Sequence, residues 1–222
     1  MYYYRRARTA FAVLSLSLFF FPNATLFAQV SVPAMEEKEY ADLEAALASL
    51  FEEREVGNLH VFASGEVRPG PDYFFHGTEL PVVFLPNLEE EWFANLPGEL
   101  KAYAVFSIRG YEKPYYIIRF EGEESKSAIE LFELVGQTLL HRVTLARLWC
   151  PGGQCVQEDA WVQDVNGDTF LDVLKKVRIY ERDMPDKPLG EYQTLFIQND
   201  EGAFQPDSSI PVDWADYPME RH

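Results

Sequence analysis

Side-chain oxygens recur in register through Asp164-Val165-Asn166-Gly167-Asp168-Thr169-Phe170-Leu171-Asp172: Asp164, Asn166 and Asp168 stand two residues apart, and Asp172 follows four later. That spacing wraps a loop around a hard cation, which takes roughly six to eight oxygens at about 2.3–2.6 Å. Three carboxylates and an amide supply charge and number, the Phe170 carbonyl adds an oxygen while its ring enters the core, and water completes the sphere. The expected cofactor is a structural Ca2+, whose charge relieves the repulsion among Asp164, Asp168 and Asp172. Mg2+ is reluctant to shed its waters, and a transition metal wants nitrogen or sulfur ligands that these side chains do not provide. A plain Asp/Asn/Gly turn between two strands is the competing reading of the same residues.

At these residues the chain resembles calcium loops that carry Asp-x-(Asp/Asn)-x-Asp and a later acid, and most closely the FG-GAP/VCBS type. The resemblance covers roughly residues 160–178, with Trp161-Val162-Gln163 leading in and Asp172-Val173-Leu174 leading out. It implies a calcium-stabilised β module in which the loop joins two strands; it implies neither a ligand nor a reaction. An EF-hand is a poorer fit, because its twelfth position is acidic and here is Lys175, and its flanks are helical. Position 6, commonly glycine because the chain there turns through positive φ, is the β-branched Thr169. The expectation is a slightly distorted loop of weak affinity.

The two cysteines stand in Cys150-Pro-Gly-Gly-Gln-Cys155, where the turn residues allow the sulfurs to meet. An even count in an exported protein reads as a disulfide. A zinc half-site would need two further ligands, and both zinc and redox motifs favour a two-residue spacing rather than four. The histidines, His60, His76, His141 and His222, form no His-x-x-x-His or Cys/His cluster and read as ordinary strand or loop residues. Neither a Gly-x-Ser-x-Gly elbow nor a glycine-rich phosphate loop occurs. Glu89-Glu90-Glu91 beside Trp92-Phe93 reads as a solvated face over an aromatic anchor, and Tyr73, Phe74 and Phe75 as core.

The elements that must position these residues follow from periodicity. Tyr40, Leu43, Leu47, Leu50 and Phe51 predict an amphipathic helix over 35–56, ended by Gly57-Asn58. Short apolar runs at 59–63 and 81–85 follow, and helical turns are expected within 86–96. In 101–109, Ala102, Ala104, Phe106 and Ile108 share one predicted strand face, as do Tyr116, Ile118 and Phe120 in 115–120. Further strands are expected at 128–135, at 138–149 with Leu139, Val143, Leu145 and Trp149 on one side, and at 160–163, 170–180 and 192–197. The fold class is α+β or mainly β: an antiparallel meander with one N-terminal helix. The expected divisions are a leader 1–28, a helical segment 29–58, a β-rich domain 59–203 and an irregular tail 204–222.

The leader is read from Arg5, Arg6 and Arg8 before an apolar run, Ala10 to Phe21, broken by Pro22-Asn23, with Ala28 before the cut. Twelve apolar residues are too few to span a bilayer, which needs about 20. The expected location is therefore secreted or periplasmic, with no membrane insertion after cleavage. Across 222 residues, 19 Lys and Arg against 36 Asp and Glu give −17, which works against nucleic-acid and anionic-membrane partners. A propeller, with at least four blades of roughly 40–50 residues, hardly fits this length. The leading expectation is a non-enzymatic exported module that binds a protein or glycan or serves structurally. An acidic inhibitor or immunity-type protein steered to a basic partner, and a hydrolase with an unmotivated carboxylate pair, are the alternatives.

Overall fold

The computed structural model describes residues 43–55, 57–66, 69–89, 101–111, 113–122 and 126–221. The leader and the first part of the expected helix lie outside them, as do His222 and residues 90–100.

The described elements are α1 (Leu43–Ala48), β1 (Glu52–Glu55), β2 (Leu59–Phe62), β3 (Thr78–Glu79), a 3-10 helix (Val82–Asn87), β4 (Lys101–Arg109), β5 (Tyr115–Gly122), β6 (Lys126–Val135), β7 (Thr138–Trp149), β8 (Gln154–Gln163), β9 (Asp172–Glu181), β10 (Pro188–Gln198), β11 (Phe204–Asp207) and a last 3-10 turn (Trp214–Asp216). The protein is mainly β, its strands joined in one mixed sheet of order β1-β4-β5-β6-β7-β8-β9-β10-β11, with β3 added on β4 and β2 on β8.

From β4 to β11 each neighbouring pair is antiparallel, as the turn residues predict; Gly110 and Gly136 take the positive φ that tight connections need. β1, which lies within the expected helix and before the expected meander, pairs in parallel with β4. The predicted helix ends early. Its apolar stripe stops at Phe51, whose N–H still bonds Leu47 O at 3.0 Å. The charged run Glu52–Glu55 has no stripe to bury, so it extends along the β4 edge, where Glu53 pairs with Arg109 at 3.0 Å. Gly57 and Asn58 therefore bend the chain between two strands and cap no helix. The apolar run at 81–85 becomes part of a 3-10 helix containing Pro86, because proline cannot donate to a ladder.

Bulges redistribute the faces. Val105 is skipped in the β4–β5 register, so Ala102 and Ala104 face one core cluster, while Phe106 and Ile108 face another. Arg142 and Leu145 are skipped in the β6–β7 register. The expected single face of 138–149 is thereby split: Leu139 joins one cluster, Val143 and Leu145 the other, and Trp149 turns towards solvent at 38 % exposure.

Both faces of β5 are buried. Tyr115 and Ile117 face a cluster that also holds Val61, Leu131, Val162 and Val173; Tyr116, Ile118 and Phe120 face a second, covered by Leu47 and Phe51 from the α1 region and by Phe84. The sheet is curled, since Tyr115 of β5 donates its hydroxyl to Gln198 Oε1 of β10 at 2.5 Å although four strands separate them. Phe75 is fully buried and Tyr73 partly so, but Phe74 is 48 % exposed.

The tail is not irregular from 204 onward. Phe204–Asp207 forms β11 on β10, and residues 210–220 lie over the outer face of β8 and β9. There Trp161, Leu174 and Leu195 pack against Ile210, Val212, Trp214, Tyr217 and Met219. Polar side chains of that face bind the strap: Gln157 Nε2 donates to Glu220 O at 2.8 Å, Glu220 N to Asp159 Oδ2 at 2.7 Å, and Lys176 Nζ to Trp214 O at 2.6 Å.

Candidate metal loop

β8 ends at Gln163 and β9 begins at Asp172, so the predicted loop joins two antiparallel strands. Expected strand starts at Ala160 and Phe170 move to Gln154 and Asp172. Oxygen side chains wind the loop by accepting backbone N–H groups. Asp164 Oδ1 accepts from Gly167 at 2.6 Å and from Asp168 at 3.2 Å, and its Oδ2 accepts from Thr169 at 3.0 Å. Asn166 Oδ1 accepts from Asp168 N at 3.0 Å, and Asn166 Nδ2 donates to Asp168 Oδ2 at 2.7 Å. Asp168 Oδ1 accepts from Phe170 N at 2.8 Å.

Two residues take the left-handed backbone: Gly167 at φ 78° and Thr169 at φ 71°. Thr169 is the only such non-glycine residue among those described. Its branched Cβ disfavours that region, so the three bonds to Asp164 hold a strained turn. The chain does make the turn that the motif requires at its sixth position.

Asp172 is fully buried. Its Oδ2 accepts Val165 N at 2.9 Å, closing the loop on its first residues, and its Oδ1 accepts Gln198 N at 3.3 Å. Burial pushes its pKa up to about 6 against the pull of those two amides, and the charges of Asp168 and Asp164 add to the rise. Tyr111 lies close enough for Asp164 and Asp172 to raise its phenol, with burial the larger cause. Sequence reasoning missed Gln198, the last residue of the neighbouring strand β10, and Tyr111 of the β4–β5 connection, which carry no local signal. The Phe170 ring is not the core residue expected. Leu171 and Val173 enter the core on either side of Asp172, which leaves Phe170 half-buried.

The donor set is all oxygen and suits a hard cation, and the left-handed turns wind the backbone as such a loop needs. The carboxylates themselves are engaged with amides: among the described residues no three His, Cys, Asp or Glu side chains converge so as to hold a metal ion.

Elsewhere the predicted residues are placed as follows. Cys150 and Cys155 form a disulfide at the β7–β8 tip, where Arg182 donates from its side chain to Cys150 O at 2.7 Å and from its backbone to Gly153 O at 2.8 Å. His60 meets the buried Asp159 at 3.1 Å and stacks on Trp161; His141 meets the buried Glu130 at 2.9 Å; His76 lies 3.2 Å from Pro69 O. Glu89 accepts His141 N at 3.0 Å. No described helix is long and apolar enough to cross a membrane.

Comparison with protein-family models, curated proteins and solved structures finds no match to this chain.

Proposed function

We propose that the protein is an exported, non-enzymatic β module whose 164–172 loop takes a structural Ca2+, and that its role is to bind a protein or glycan or to brace a larger assembly. The observation that carries this reading is the winding of the loop: Thr169 accepts a left-handed backbone at the position where calcium loops of this spacing turn. The buried Asp172 adds to it, since a carboxylate out of water beside Asp164 and Asp168 gains from a cation.

Asp164, Asn166, Asp168, Asp172 and the Phe170 carbonyl would hold the ion, and Ca2+ would supply charge neutralisation there. The chain's own share is to preset the backbone, bury one carboxylate and tie it to β10. The Cys150–Cys155 disulfide supports an oxidising location, secreted or periplasmic. The FG-GAP/VCBS likeness of residues 160–178 supports the same reading.

The test is a Ca2+ titration of the protein followed by amide resonances. Saturable shifts confined to residues 164–172 and to Gln198 support the proposal; resonances that do not move up to millimolar Ca2+ refute it.

A further inference from the structure

The strap and the sheet beneath it enclose a recess of about 190 Å³ lined by Lys176, Arg178, Glu191, Tyr192 and, from the strap, Met219 and Arg221. In a chain of net charge −17 this lining has three cations and a single acid. Their donors are only partly used. Arg178 gives its Nε to Glu191 at 2.9 Å, which leaves the guanidinium's outer edge free to bind an oxyanion. Lys176 Nζ gives one hydrogen to Trp214 O and has two more. Arg221 is exposed and has no ion-pair partner among the described residues.

We infer that this seam binds a small doubly charged oxyanion, a phosphate or sulfate group, between Arg221 of the strap and Arg178 and Lys176 of the sheet. Three cations face one lining carboxylate, and the buried Asp159 that also acts on Lys176 is engaged with His60 and Glu220 N, so the open side of the seam favours an oxyanion. Guanidinium edges match tetrahedral oxyanions in geometry, and the recess has room for one together with water. Burial lowers the pKa of Lys176 while Glu191 and Asp159 oppose the fall, and a bound anion would act in the same sense as those carboxylates. The exposed Tyr192 ring, at 60 %, stands at the rim where the remainder of a phosphate or sulfate ester would rest. A ligand held from both sides would also fasten the strap, because Arg221 belongs to the strap and the other two cations to β9.

The test is calorimetric titration of the full chain with inorganic phosphate, inorganic sulfate, acetate and a monosaccharide sulfate at constant ionic strength. Phosphate or sulfate should bind saturably, and roughly tenfold or more weaker in Arg221→Gln and Arg178→Gln, each charge-assisted contact being worth about that factor. Glu191→Gln, which removes the competing acid, should tighten binding; unchanged melting curves keep the variants interpretable. Tighter binding of the monosaccharide sulfate than of free sulfate identifies an ester as the ligand class, and equal binding a free anion. Absence of saturation by either inorganic dianion, acetate binding as tightly as sulfate, or a dissociation constant unmoved in Arg221→Gln overturns the inference.

Discussion

Asp172 opens β9 and accepts the backbone N–H of Gln198 at the end of β10 at 3.3 Å. The Gln198 side chain in turn accepts from Tyr115 at 2.5 Å and donates to Gly202 O at 3.1 Å. A loop at one end of the sheet is thereby tied through one glutamine to β5, on the other side of the curl.

Asp164 is the residue that winds the loop, accepting three amides. Asp164→Ala should therefore destabilise the protein even in chelator, by about 1–2 kcal/mol, as loss of a charged acceptor at a helix cap does. Urea unfolding monitored by tryptophan fluorescence gives the value. Wild-type stability in the variant would mean that the loop's hydrogen bonds contribute nothing.

Thr169 should respond in the opposite direction. A β-branched residue in the left-handed region costs ~1–2 kcal/mol, more than the ~0.5–1 kcal/mol of chain entropy that glycine adds. Thr169→Gly is expected to raise stability by about 0.5–1 kcal/mol and to tighten Ca2+ binding, both measurable by paired melts with and without Ca2+.

The pH dependence follows from Asp172. Its folded pKa of about 6 lies above the ~3.9 of an unfolded aspartate, so the calcium-free native state binds this proton more tightly. The stabilisation is complete below about pH 4 and is lost as pH rises through 6. Calcium-free protein, compared with Asp172→Asn to cancel other titrations, should lose stability across that window. Ca2+ should remove the loss, because it favours the ionised carboxylate. Tm against pH in chelator and in Ca2+ measures both.

Breaking the Cys150–Cys155 disulfide, as Cys150→Ser with Cys155→Ser, should cost about 2 kcal/mol, the chain-entropy value for so short a loop. The Arg182 contacts to Cys150 O and Gly153 O should keep the tip folded, so the loss should appear in the melt and leave the rest of the spectrum unchanged.

Asp159, fully buried, joins His60, Gln157 Nε2 and Glu220 N. Asp159→Ala should cost about 1–3 kcal/mol, as leaving the Gln157 and Glu220 donors without their acceptor does. It should also expose residues 208–220 to limited proteolysis. Unchanged protection of that segment would show that the apolar contacts of Trp214 and Tyr217 hold the strap alone.

The strands with an alternating pattern and a hairpin connection, β4 and β5 above all, are legible in the sequence because each carries its own period and Gly110 marks the turn between them. The bulges at Val105, Arg142 and Leu145 are not, since no glycine marks them, and they redirect Phe106, Ile108 and Trp149 away from their expected neighbours. The parallel pairing of β1 is hidden because Glu52–Glu55 is polar and short, and its reason for being a strand is the edge of β4. The tail hides its order differently: Gln157, Asp159 and Lys176 grip its backbone, which leaves no mark on side-chain periodicity. In the loop, oxygen spacing marks Asp164 through Asp172 as one turn, while the left-handed backbone at Thr169 is adopted against the resistance its branched side chain predicts. The spacing does not show Gln198, which the β9–β10 pairing sets beside Asp172, or Tyr111 of the β4–β5 connection.

The most direct test of the calcium reading is calorimetric titration of the protein with Ca2+, paired with melts in Ca2+ and in chelator and with Asp168→Ala as control. The account predicts one saturable site and a rise of about 2.7 kcal/mol in stability at a hundred times Kd, both absent in the variant. No heat, and coincident melts in Ca2+ and chelator, would contradict it and leave residues 164–172 as a turn that satisfies only itself.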